Sequence, residues 1–302
     1  QPCPVSHSSL VLKPKPFHLF ILMMVSLLLQ NGQIQVEVQV VVQVIVMIIM
    51  TTTMINKVYR VVMQQMLTKI QANPDSAVSD AVRMSLPVSA QASASTLIHG
   101  VDVEELRAGA DRDSVRGELG VGAAEVVVGT VANLRSNKGY PDLVTAAAQV
   151  VSDHREAQFV SVGQGPLLAE LEAQRDAAGL GDHMRFLGFE PDAARLISGF
   201  DVFCLSSHHE GLPVALMEAL ALGIPVVVTD VGGVAELVTD GAEGRLVPAR
   251  QPRVLARALS EMIADPAARA RLAQGAVRRG QELNAQRSVE ATEAHYQSLL
   301  AF

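Results

Sequence analysis

The sequence predicts a parallel, doubly wound α/β sheet over residues 101–285. Two observations predict it. Six short runs rich in β-branched residues recur along this region, and their near-continuous apolar character marks strands buried on both faces. Helix-like amphipathic stretches separate the runs, and that alternation is what a parallel sheet with crossover helices requires. Ligands of such sheets bind outside the carboxyl ends of the strands, so the loops that follow the runs are where function is sought.

The six runs, in order, are Val126 to Ala132, Phe159 to Gly163, Met184 to Gly188, Val202 to Ser207, Pro225 to Asp230 and Gly244 to Pro248. Between them lie stretches such as DLVTAAAQVVSDH and PLLAELEAQRDAAG, with the apolar spacing of helices. From Pro252 onward the chain reads as three helices, separated near Pro266 and Asn284.

Residues 1–75 differ in composition. Phe17 to Leu29 is an apolar run of thirteen residues behind Lys13 and Lys15, too short to span a bilayer. It has the length of a leader core, but no clear cleavage site follows. Gln33 to Ile55 partly alternates polar and β-branched residues. Its Val, Met, Ile and Thr are linked by single-base codon changes, so it reads as a translated simple repeat rather than an evolved element.

The 302 residues carry a net charge of −7 and show no basic stripe, which disfavours nucleic acid as a partner. Cys3 and Cys204 make no metal or disulfide spacing. The chain is expected in the cytoplasm or at the periphery of a membrane.

The loop after the first run, NLRSNKGYPDL, places Lys138 and Gly139 where a loop turns into a helix. A lysine there can reach a phosphate, and the glycine permits close backbone approach. Arg135 is a possible second cation. After the second run, Gly163-x-Gly165 begins a dinucleotide fingerprint, but Leu168 stands where the third glycine belongs, which argues against NAD. After the fourth run comes HHEGLPVALMEALALGIPVV. Gly211, Leu212 and Val214 offer amides where a helix starts, and Pro213 suits its first turn. Glu210 and Glu218 flank that anion site, and a carboxylate there is explained if it accepts hydrogen bonds from sugar or ribose hydroxyls. Gly232 and Gly233 open a further helix and offer a second place for ligand approach. Three patterns are set aside. Asp111-Arg112-Asp113 reads as a chance D-x-D, His208 and His209 lack a third metal ligand, and His99 belongs to a strand and turn.

The E-x7-E spacing of Glu210 and Glu218, with KG, VGQGP, RFLGF and GRLVP in matching order, resembles the retaining glycosyltransferases of family 4, which have the two-domain GT-B architecture. The resemblance covers roughly residues 76–302. It implies a Rossmann-like donor-binding domain at 101–285, a remnant of an N-terminal GT-B domain at 76–100, and a crossing helix at 286–302. Residues 1–75 would be a short atypical segment in place of a full second domain. It implies that a nucleotide sugar is the donor substrate, with no cofactor and no essential metal. Lys138 would contact the diphosphate, Glu218 the ribose and Glu210 the transferred sugar. Amides near Gly211 to Val214 would contact sugar and phosphate. RFLGF, with Phe186 and Leu187, would border the base, and Gly139 and Gly163 would line the site.

The family often has an arginine where this chain has Asn133, and Arg135 is the candidate substitute. Residues 1–75 show no glycine-rich loop and no active-site histidine of the family's kind. The acceptor would be a saccharide, a lipid or a small molecule. Tyr296, Leu299, Leu300 and Phe302 would favour self-association if the crossing helix lacks its partner domain. The alternative is a non-catalytic nucleotide-sugar-binding module that acts with a partner. A GT-B-shaped epimerase fits less well, because it keeps both domains in one chain.

Overall fold

The computed structural model describes residues 76–77, 79–86, 88–91 and 95–300. The expectations for residues 1–75 lie outside them, as do those for the side chains of Tyr296, Leu299, Leu300 and Phe302.

A small unit comes first. Strands β1 (Ser76–Ala77) and β2 (Ser95–Thr96) pair in parallel. Between them lie helices α1 (Asp80–Ser85) and α2 (Val88–Gln91). Two short helices follow, α3 (Val103–Ala108) and α4 (Arg112–Glu118). The main domain then alternates strand and helix. Strand β3 (Val126–Val131) leads through a 3-10 turn at Ser136–Lys138 into α5 (Tyr140–Asp153). The alternation continues as β4 (Ala157–Val162), α6 (Leu168–Ala177), β5 (Met184–Gly188), α7 (Ala193–Ile197) and β6 (Val202–Leu205). Next come α8 (Val214–Ala221), β7 (Val226–Thr229), α9 (Val234–Leu237) and β8 (Gly244–Val247). Helices α10 (Pro252–Ala264), α11 (Pro266–Glu282) and α12 (Ala285–Leu300) complete the chain, with breaks where the sequence places them.

All six expected strands form, and every pair is parallel in the order β5-β4-β3-β6-β7-β8. The strands are apolar throughout because each face has its own core. Val127, Phe203, Leu205, Val226 and Val228 point to one layer of helices with Leu216 of α8 and Ile197 of α7. Val128, Val202, Cys204 and Val227 point to the other, with Val144 of α5 and Leu259 of α10. This is the period of two expected of a strand covered on both sides. Burial pushes the Cys204 thiol up to about 12, so it sits as an inert apolar group.

The entry and exit of the domain are stitched together. Val101 donates its N–H to Leu283 O at 2.8 Å, and Ala285 donates to Val101 O at 2.9 Å. The Asp111-Arg112-Asp113 pattern proves structural. The Asp111 carboxylate caps α4 by accepting the Ser114 N–H at 3.0 Å. Arg112 and Arg116, one turn apart on α4, both reach Asp201 at the start of β6, at 2.6 and 2.9 Å. Asp201 also accepts the N–H of Val127 at 2.8 Å, which ties α4 to two central strands.

Candidate functional site

The strand order reverses between β3 and β6, so the loops after these strands run to opposite sides and leave a crevice at their carboxyl ends. The two loops are locked together. Gly139 has φ +62°, and a Cβ placed there would stand 2.0 Å from the Ser206 carbonyl oxygen. The close approach expected of Gly139 is therefore to protein backbone. Ser206 Oγ donates to Lys138 O at 3.0 Å, and His208 donates its N–H to Asn137 O at 2.8 Å. Gly139→Ala is expected to cost at least about 1–3 kcal/mol, because it adds left-handed strain to a backbone clash. A urea melt with an unchanged slope would read that loss in its midpoint, and an unmoved midpoint would refute it.

The locked loops bring Lys138 onto Glu210. The ammonium donates to both carboxylate oxygens, at 2.7 and 2.8 Å. Ser207 Oγ adds a third hydrogen bond to Glu210 at 2.6 Å. Glu210 is only 7% exposed, so these three bonds satisfy a buried charge. The pair opens onto a cavity of about 290 Å³. Asn133, Lys138, Gly163, Glu210, Pro213 and Val214 all line it, over a floor that includes Val131, Val162 and Leu205. Helix α8 begins at this cavity with Pro213 as its N-cap, and no side chain among the described residues caps its first amides. Uncapped amides at a helix start favour an anion.

Other expected residues lie elsewhere. Leu212 is buried in the core, and Gly211 uses its carbonyl to accept the Gly233 N–H at 2.9 Å. Phe186 packs near Tyr140, with ring centroids 6.5 Å apart, and Leu187 packs on the opposite core. Neither lines the cavity, whereas Phe189, 65% exposed at its rim, does. Glu190 and Ala193 line it too and escaped the sequence reading. An aromatic residue just past the carboxyl end of β5 was the one available signal. Arg135 is exposed, and its side chain has no partner among the described residues.

Glu218 sits in the second turn of α8, half-buried and without a hydrogen-bond or ion-pair partner among the described residues. Burial, and secondarily the charge of Asp192, pushes its carboxyl above the ordinary value of 4.5. A carboxylate in that state gains from hydroxyl donors.

The close approach at Gly232 and Gly233 is made by protein backbone. A Cβ on either would strike the backbone of Glu210 or Gly211, so their close approach is to the Glu210 loop. His208 Nε2 lies 2.7 Å from Asp142 Oδ2, while His209 is exposed, so the two rings do not converge on one ion. Among the described residues no cluster of three or more His, Cys, Asp or Glu is placed to hold a metal. Both His99 ring nitrogens are buried without a hydrogen-bond partner among the described residues, and burial lowers the pKa of the ring. No helix among the described residues is long and apolar enough to cross a membrane.

Residues 111–279 match the family model described as Glycosyl transferases group 1. The chain belongs to this family. The group 1 glycosyltransferase chain is 29% identical over 212 residues to the lipopolysaccharide core biosynthesis mannosyltransferase LpsB of Rhizobium meliloti, covering 68% of this chain and 60% of that protein. It is 35% identical over 210 residues to a D-inositol 3-phosphate glycosyltransferase of Geodermatophilus obscurus, covering 65% of this chain and 45% of that one. It thus spans about half the length of the curated relatives it matches. Among solved structures it resembles Anabaena HepE in complex with UDP, with TM-score 0.68 and 25% identity over 74% of this chain and 63% of that chain. The C-terminal domain of a Francisella tularensis group 1 protein, LpcC, shares the fold at TM-score 0.56 and 24% identity, covering 61% of this chain and 97% of that domain. The sheet described above is the Rossmann-like domain of the GT-B fold.

Proposed function

We propose that this chain supplies the donor half of a retaining glycosyl transfer from a nucleotide sugar. The observation that carries the reading is the Lys138–Glu210 pair at the mouth of the switch-point cavity. A cation beside uncapped helix amides suits a diphosphate, and a carboxylate beside it suits sugar hydroxyls. Lys138 and the first amides of α8 would hold the diphosphate. Glu210 would hold the transferred sugar, and Glu218 the ribose. In this reading the leaving diphosphate takes the acceptor's proton, Lys138 stabilises its charge, and no resident metal or cofactor is needed. The Anabaena HepE structures contain UDP and, in one case, UDP-glucose, which supports a uridine nucleotide as the first donor to test. The acceptor would be a saccharide, a lipid or a small molecule.

A thermal-shift series with UDP-, GDP- and ADP-sugars tests the donor. A ligand at a hundred times its Kd adds about 2.7 kcal/mol to the folded state. No stabilisation by any nucleotide sugar at millimolar concentration would overturn the reading.

Glu218→Gln is expected to do two opposite things. The folded-state pKa of Glu218 is raised, so between the unfolded and folded values the native state binds more protons, and stability falls as pH rises through that window. The charged carboxylate therefore costs stability at neutral pH, and glutamine should raise the melting temperature at pH 7 but not below pH ~4. The same change should weaken nucleoside diphosphate binding about tenfold, through lost hydrogen bonds to a charged acceptor. A variant that melts lower at pH 7, or binds UDP unchanged, would contradict these assignments.

A further inference from the structure

The loop that carries Gly232 and Gly233 joins the donor site to a distant part of the chain. On one side, Gly232 has φ +54°, and the Glu210 carbonyl oxygen lies 1.8 Å from where its Cβ would stand. Gly233 donates its N–H to Gly211 O at 2.9 Å. On the other side, the Ser79 Cβ lies 2.8 Å from the Cβ position of Gly233. Ser79 is fully buried and is the N-cap of α1, accepting the Val82 N–H at 3.1 Å. The loop is wedged between the backbone of the sugar-facing carboxylate and the start of that helix.

Glu236 closes the circuit. Its carboxylate reaches α1, where Oε1 accepts the Ala81 N–H at 2.8 Å and Oε2 the Asp80 N–H at 3.0 Å. Its own N–H donates to Gly233 O at 3.1 Å, and its carbonyl accepts from the Arg279 guanidinium. Helix α1 buries no side chain of its own, so little apolar area fastens it to the domain. The contacts from Glu236 and Ser79 are what tie it to the glycine loop.

We propose that Glu236 is a positioning residue, a latch that couples docking of residues 79–86 to the shape of the donor site at Glu210. This rests on the donor reading above for its functional consequence. Coupling is reciprocal, so a donor that settles the Glu210 loop also tightens α1, and releasing α1 weakens the donor.

The test uses the full chain with Ala81→Pro and Glu236→Gln. Proline at the second position of a helix is already used by this chain at Pro141 of α5. At position 81 it deletes the N–H that Glu236 accepts, and it touches no residue of the cavity. Hydrogen exchange is read at the amides of residues 82, 83 and 233, and UDP-glucose affinity by calorimetry. Both variants should speed exchange at Gly233, and each should weaken UDP-glucose about fivefold, at the low end of measured coupling. The double variant should lose less than the sum of the two single ones, because both changes act on the same carboxylate–helix contact. Faster exchange at residues 82 and 83, with Gly233 and the affinity unchanged, would reduce Glu236 to a helix cap and overturn the proposal. Unchanged exchange throughout would overturn it too. If the wild-type chain binds no UDP-glucose, the donor reading is what suffers, and exchange at Gly233 alone decides the latch. Should Glu236→Gln fail to fold, Ala81→Pro carries both readouts.

Discussion

Asp201→Ala is expected to cost about 3–5 kcal/mol of folding stability, the range for breaking a buried ion pair by removing one member. Asp201 and Arg116 keep only 17% and 10% of their side-chain surface. Without the carboxylate, the Arg116 guanidinium retains, among the described residues, only carbonyl partners at Gly122, Glu125 and, more distantly, Gly199. The Val127 N–H at the start of a central strand loses its acceptor as well. Arg112 reaches the same carboxylate from a side chain that is 44% exposed, so Arg112→Ala should cost no more than about 1 kcal/mol. Urea denaturation of the two variants separates these values. A loss below about 1 kcal/mol for Asp201→Ala would show that water replaces the network.

Lys138→Met should remove donor binding and also destabilise the chain by about 3 kcal/mol, the low end of the buried-pair range, because Lys138 keeps 21% of its side-chain surface. The substitution leaves Glu210 with Ser207 as its remaining side-chain partner. UDP and UDP-glucose should both weaken more than tenfold, since a charge-assisted contact to phosphate is lost. Glu210→Gln makes the informative contrast. The family resemblance assigns Lys138 and Glu210 to different parts of the donor, as though they acted separately. The structure shows each neutralising the other. Glutamine should free the ammonium for the phosphates, so UDP is expected to bind more tightly, while UDP-glucose loses its margin over UDP. Calorimetry with both ligands measures this, and a drop in UDP affinity would mean that Glu210 is needed to hold Lys138 in place.

The residues proposed for the site stand out in the sequence because their signals are local. Lys138 and Gly139 after one strand, and the E-x7-E stretch after another, announce themselves by position relative to strand ends. Phe186 and Leu187 misled for the same reason. They share a five-residue run with Phe189, and sequence cannot tell which member of a strand end turns inward. Only Phe189 stands at the cavity, because Phe186 and Leu187 are drawn to opposite cores by the alternation of the strand. The two glycines after β7 carry a different kind of signal. A glycine reports that something comes close, not what does, and here the neighbour is the backbone of Glu210 and Gly211.

By itself the sequence determined the parallel α/β class, the six strands, the three closing helices and two of the strand-end loops that line the cavity. These follow from periodicity and turn chemistry, which act within a few residues. Tertiary structure alone decided which distant groups meet. Lys138 and Glu210 are 72 positions apart, Arg116 and Asp201 85, and Ala81 and Glu236 155. No pattern along the chain says that these groups are partners of one another. For Lys138 and Glu210 the strand order brings the β3 and β6 loops together, and burial makes an unpaired charge there too costly to leave alone.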